Sequence, residues 1–259
     1  MNAVLANPPL HADAPYTSHC FDEAAAAQME RLIADFGRMY RERNDALEQI
    51  ARAHHECLLR LSLAADFKDD DTGVHIVRIG FLAEALALAL GESPAQARML
   101  RKAAPMHDIG KIGTPDAVLK KAGPLTPAER EVMNRHPQIG ESILGRSRIA
   151  LFELAALVAL NHHERYDGTG YPNRRAGEDI PLAARITSVV DFYDALTMDR
   201  VYRHAFAPQA ALAMLVAERG KAFDPRVVDA FVDGFDALEA LRLSVNAQGL
   251  DFRALLDEQ

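Results

Sequence analysis

The histidines and aspartates of this chain fall where they could act together. Asp71 and His75 are four residues apart, and share one helix face if a helix reaches that far. His107 and Asp108 are adjacent, just ahead of Gly110. His136 precedes Pro137, and His162–His163 precede the turn DGTGYP, which closes on Gly170, Tyr171 and Pro172. Asp191 lies in an apolar stretch, with Asp194 one turn further along. A single histidine on a helix has an ordinary explanation as a surface or satisfied core residue. The combination does not, because several such groups buried without a shared partner would be costly. A metal is the economical partner. The donors are nitrogen and oxygen without sulfur, which suits iron, manganese or zinc and not a cysteine-rich structural site. His75, His107, Asp108, His136, His162, His163 and Asp191 exceed what one tetrahedral ion needs, and a carboxylate such as Asp108 can bridge two. Two ions at bridging distance can generate hydroxide at neutral pH and support an in-line displacement at phosphorus. Cations suited to a phosphate are also present as Lys111, Arg200 and Arg203. His54 and His55 on a long helix, His11 and His19 near the start, and His204 have no acidic neighbours that would recruit them.

The elements that must carry these residues read as helices. Segments near 74–91, 94–108, 127–134, 136–145, 150–163, 181–198, 208–219 and 225–233 have helical apolar spacing, and alternating-strand patterns are absent. Glycine and proline turns separate them. The fold class is therefore all-α. Ahead of these segments, residues 21–65 form a long amphipathic helix whose apolar or small residues recur at alternating steps of three and four. Its stripe includes Leu32, Phe36, Met39, Ala46 and Ile50, with Arg43 at one seam position. That stripe packs either on the chain's own core or on a second copy as a parallel dimer. Residues 1–20, with Pro8, Pro9 and Pro15, read as a mobile tail, and 66–259 as the catalytic domain.

Composition narrows the function classes. A net charge of −8 argues against a surface for polymeric nucleic acid. No stretch reaches the roughly 18 unbroken apolar residues of a membrane span. The first residues lack a signal-peptide layout, so a cytoplasmic location is expected. Cys20 and Cys57 form no CxxC pair or disulfide pattern.

Four separate runs, taken in order, carry a family resemblance: MHDIGKIGTPDAVLKKAGPLTPAEREVMNRHPQIGESIL, NHHERYDGTGYP, IPLAARITSVVDFYDALTMDRVYR and FDPRVVDAF. They resemble the HD-GYP domain, a subgroup of the HD phosphohydrolase superfamily, from about Ser62 to Leu238. The resemblance implies a helical HD bundle with a C-terminal helical extension and a centre of two or three irons, manganese being a substitute. It implies hydrolysis of cyclic di-GMP to pGpG and, in some members, to GMP. By the same resemblance, His75, His107, Asp108 and Asp191 hold one metal. Asp108 bridges to a second that His136, His162 and His163 complete. Lys111 matches the lysine that contacts the scissile phosphate and protonates the leaving oxygen. Arg200 and Arg203 match cations on the ligand's phosphates, and Gly170–Tyr171–Pro172 is the turn that names the subgroup. Asp194 matches an acidic residue near the site with a proton-transfer role. Asp71 stands where members with a third metal carry glutamate. The loop NRRAGEDIP is poorer in glycine than the usual one after the turn.

Three readings follow: an active cyclic di-GMP phosphodiesterase, an inactive receptor for the same nucleotide, and an HD hydrolase of another cyclic dinucleotide. Retention of the full ligand set favours the first. With no sensor domain expected ahead of Ser62, regulation would fall to the long helix, a partner protein or metal redox state.

Overall fold

The computed structural model describes residues 23–68, 73–199, 204–249 and 252–255. The tail 1–20, Asp71, Arg200 and Arg203 lie outside the described residues. The chain divides into two units, Met1–Ile50 and Ala51–Gln259. The boundary falls within the first helix, α1 (Glu23–Lys68). In the first unit the helix exposes Met29, Leu32, Ile33, Phe36, Met39, Tyr40, Leu47 and Ile50. In the second, its last turns bury His55, Leu58, Leu59, Ser62 and Ala65.

The architecture of the second unit is all-helical, as expected. Among the described residues there is no strand beyond an isolated bridge between Arg219 and Phe223. Its helices are α2 (Val74–Ala89), α3 (Pro94–Ala103), α4 (Asp116–Leu119), α5 (Pro127–Met133) and α6 (His136–Leu144). Then come α7 (Ala150–Asn161), α8 (Leu182–Leu196), α9 (Pro208–Ala217), α10 (Pro225–Asp233) and α11 (Phe235–Ala247). Local signals explain several starts. Ser93 and Gln96 form a capping box on α3, and Thr126 and Glu129 another on α5, each with proline at the first helical position.

Two differences from the sequence expectation matter. The segment 94–108 is not one helix. It ends at Ala103 and continues as a 3₁₀ turn, Ala104–Met106, because Pro105 has no N–H to donate to the preceding turn. That break delivers His107 and Asp108, which a continuing helix would have carried round its axis. The second difference is α11, which helical spacing alone did not mark out.

The apolar α2 runs between two hydrophobic clusters. Ile79, Leu82 and Leu86 pack with Val189, Val190 and Tyr193 of α8 and Val227, Val228 and Phe231 of α10. Ile76 and Val77, nearer its start, pack with Leu58 and Leu59 of α1, and with Met106, Ile109 and Leu144. Ile109 is 1% exposed, so the residue directly after Asp108 is anchored in this second cluster. No described helix is long and apolar enough to cross a membrane.

Candidate metal centre

The ligand-type residues converge from helix ends. His75 is the second residue of α2, His107 closes the 3₁₀ turn, His136 opens α6, and His162 closes α7 with His163 beside it. Asp191 and Asp194 lie on α8. Two groups form, one of His75, His107 and Asp191, the other of Asp108, His136, His162 and His163. Within each, one ligand atom per residue lies within 4.8 Å of the others.

Asp108 joins the groups. Its Oδ2 is 3.3 Å from His107 Nε2, and its Oδ1 is 3.2 Å from His136 Nε2 and 3.6 Å from His162 Nε2. Lys111 Nζ stands 2.9 Å from Asp108 Oδ2. Burial pushes the Asp108 carboxyl up. The Lys111 ammonium, and after it the nearby imidazoles of His107 and His136, outweigh that and hold it well below its ordinary value.

The imidazoles are oriented by the main chain. His107 Nδ1 donates to Ala104 O (3.0 Å), His136 Nδ1 to Met133 O (2.8 Å) and His162 Nδ1 to Ala159 O (2.9 Å). A carbonyl only accepts, so each Nδ1 carries a proton, and each ring turns its Nε2 into the site. His75 is held similarly, with Nδ1 2.7 Å from Asp194 Oδ2 and Nε2 3.5 Å from Asp191 Oδ1. His75 is raised to about 9. Burial lowers it, but the hydrogen bond and charge of Asp194, with the charges of Asp191 and Asp66, more than offset that. His163 is held well below its ordinary value by burial and by the neighbouring His162 and His136, so it is a neutral ring.

Without a cation the arrangement is unsatisfied. His136 Nε2 and His162 Nε2 face each other at 3.3 Å, each the second nitrogen of a ring whose Nδ1 is already committed. His107 Nε2 and Asp108 Oδ1 are buried with no hydrogen-bond partner. Inward Nε2 atoms, a carboxylate between the two groups and Nδ1 hydrogen bonds that fix each ring make a donor set that fits two divalent cations.

Two glycines permit this convergence. A Cβ on Gly110 would lie 1.9 Å from His136 O and 2.5 Å from Gly140 N, so the turn after Asp108 sits directly on the start of α6. A Cβ on Gly170 would lie 2.3 Å from Arg165 N and 2.6 Å from His163 O. That contact folds the turn back on the histidine pair. Tyr171 then stacks on His163, ring centres 4.8 Å apart, and its peptide bond to Pro172 is cis.

Asp194 lies beside the site, against His75. It is fully buried, and both its oxygens are taken: Arg78 Nε reaches Oδ1 at 2.6 Å, Arg78 Nη2 reaches Oδ2 at 2.8 Å, and His75 shares Oδ2. No oxygen is left to meet a substrate. Sequence reasoning missed Arg78, although a charged residue three after His75 on an apolar helix was a readable signal. It also missed Glu164, 4% exposed, which accepts from Asn173 N and Arg175 N and shapes the loop beyond Pro172. Ser188, whose hydroxyl bonds His162 O, gave no signal.

The sequence pattern of the HD domain matches residues 29–227. The chain belongs to the HD domain family. Within that family its His107–Asp108 pair and Gly170–Tyr171–Pro172 turn place it in the HD-GYP subgroup. It is 45% identical over 196 residues to a cyclic di-GMP phosphodiesterase response regulator of Xanthomonas campestris, covering 76% of this chain and 52% of the relative. It is 36% identical over 190 residues to 3'3'-cGAMP-specific phosphodiesterase 2 of Vibrio cholerae, covering 73% of this chain and 36% of the relative. The HD fold also appears in the crystal structure of a V. cholerae cyclic GMP-AMP-specific phosphodiesterase. That match has a TM-score of 0.56 and 20% identity, over 78% of this chain and 54% of the other. The chain thus spans about half or less of the length of these relatives.

Proposed function

We propose that the chain is a metal-dependent phosphodiesterase that opens cyclic di-GMP to pGpG and carries some of it on to GMP. The observation that carries this reading is Asp108, one oxygen toward each histidine group and Lys111 Nζ at 2.9 Å. Two divalent cations held there, iron by preference and manganese as a substitute, would supply a nucleophilic oxygen from water and absorb charge at phosphorus. The chain's own residues do the rest. Lys111 contacts the scissile phosphate and gives a proton to the leaving oxygen. Tyr171, fixed on His163 by the Gly170–Pro172 turn, forms one wall of the nucleotide site. Asp194 orients His75 and does not exchange protons with substrate. Arg200 and Arg203 hold the distal phosphates, and Asp71 offers a carboxylate toward a third ion. The long helix of α1 pairs two chains, and the enzyme acts in the cytoplasm, where a protein partner or the oxidation state of the metal regulates it.

Similarity to the Vibrio relative supports a second reading, hydrolysis of 3'3'-cGAMP. The test is anaerobic metal reconstitution followed by assay against a panel of cyclic dinucleotides. Cyclic di-GMP should turn over fastest, and Asp108→Ala should lose metal and hydrolysis together. Preference for 3'3'-cGAMP would establish the second reading. Tight nucleotide binding without turnover would make the chain a receptor. An Asp108→Ala protein with full metal content would sink the dinuclear assignment.

A further inference from the structure

Lys68 is the last residue of α1, and its side chain reaches the turn that carries Lys111. Its Nζ donates to Ile112 O at 2.7 Å and to Thr114 O at 2.6 Å, with Lys111 O at 3.4 Å and Asp116 Oδ1 at 3.5 Å. The carbonyls of Lys111 and Ile112 belong to the 3₁₀ helix Ile109–Gly113, and Thr114 follows it directly. Lys111 O also accepts from Thr114 N at 3.0 Å, and carbonyls at the end of a helical turn gather partial negative charge. An ammonium with three donors meets them well.

The neighbourhood shows that this is more than a surface cap. Two residues earlier, Asp66 Oδ2 accepts at 3.1 Å from the N–H of Gly73, the residue that caps α2 just ahead of His75. Ser62, Ala65 and Asp66 share a small cavity with His107, Asp108 and Lys111. The last turns of α1 therefore wall the metal centre, and Lys68 is where they grip the lysine of the second half. Lys111 is long and flexible, and its side chain is 21% exposed. Its own backbone must be fixed if Nζ is to stay beside Asp108.

We propose that Lys68 is a positioning residue for Lys111, holding the 109–114 turn through its carbonyls so that the Lys111 ammonium is presented to the scissile phosphate. The proposal rests on the phosphodiesterase reading for its chemical consequence but not for its structural one. Lys68→Met keeps the length of the side chain and removes the donors, whereas Lys68→Arg keeps donors. In the metal-loaded protein, Lys68→Met should lower kcat for cyclic di-GMP by roughly 10–100-fold, the scale expected for a misplaced catalytic group. KM should stay within about twofold, since ligand contacts elsewhere are untouched. Metal content should be unchanged, and Lys68→Arg should restore most of the rate.

Hydrogen–deuterium exchange provides a second measurement that needs no turnover. Amides of residues 109–116 should exchange faster in Lys68→Met than in wild type or Lys68→Arg. Unchanged exchange there overturns the proposal, as does an unchanged kcat or a rate loss that merely follows loss of metal. If wild type hydrolyses no cyclic dinucleotide, the phosphodiesterase reading falls alone, and the exchange result still decides whether Lys68 holds the turn.

Discussion

The same side chain has opposite fates at different places in this chain. His107, His136 and His162 are buried with the Nδ1 proton committed to a carbonyl, and their value lies in the nitrogen left over. His55 is equally buried, at 3% exposed, but its Nε2 has no partner. Its pKa is lowered to about 4, first by burial and then by the charges of Lys102 and Arg101. A depressed folded-state pKa means the unfolded chain takes up a proton first as pH falls. The stability His55 confers is complete above its unfolded value near 6.5 and drains away as pH falls toward 4, by up to about 3 kcal/mol. Equilibrium unfolding from pH 7 to pH 4 should therefore show a slope that His55→Leu flattens. An equal slope in both proteins would mean other groups carry the acid sensitivity. Sequence spacing correctly set His55 apart from the ligand histidines. It could not show that the ring is buried, because burial depends on which face of α1 the rest of the chain covers.

At the scale of elements, the site is made by interruptions. Pro105 breaks α3 so that His107 and Asp108 leave the helix together, and Gly110 lets the following turn settle against α6 at His136. The atoms a Cβ on Gly110 would strike are backbone, so no side chain can move aside to relieve the clash. Gly110→Ala should displace the start of α6, cost about 1–3 kcal/mol of stability and reduce metal binding at the group containing His136. Thermal melting with metal analysis tests this, and an alanine variant with wild-type melting and full metal would refute the close approach. The helices themselves were legible from apolar spacing and caps. The elements that spacing did not mark out were short or unpunctuated. Asp194 illustrates the same limit: its place near the site could be read, but its partner Arg78 lies 116 positions away, and only the packing of α2 on α8 brings them together.

For the whole molecule, assembly is the open quantity. In the first unit Leu32 is 46% exposed, Phe36 67% and Met39 61%, part of the apolar stripe at heptad-like spacing. We expect two chains to pair through it in parallel, with Arg43 weakening the seam. Light scattering should give about twice the chain mass of 28.4 kDa, and the double variant Phe36→Glu, Met39→Glu should return a single mass. A monomeric wild-type protein would end that reading. The second unit raises a different point. Its Nε2 atoms are aimed into one site because each Nδ1 donates to a carbonyl that belongs to a helix. A cation bound there would hold the folded chain and not the unfolded one, so by mass action every bound ion would add to folding stability. Ion supply would then set how long the chain survives proteolysis. A cell short of the right metal would then hold less of the folded protein itself.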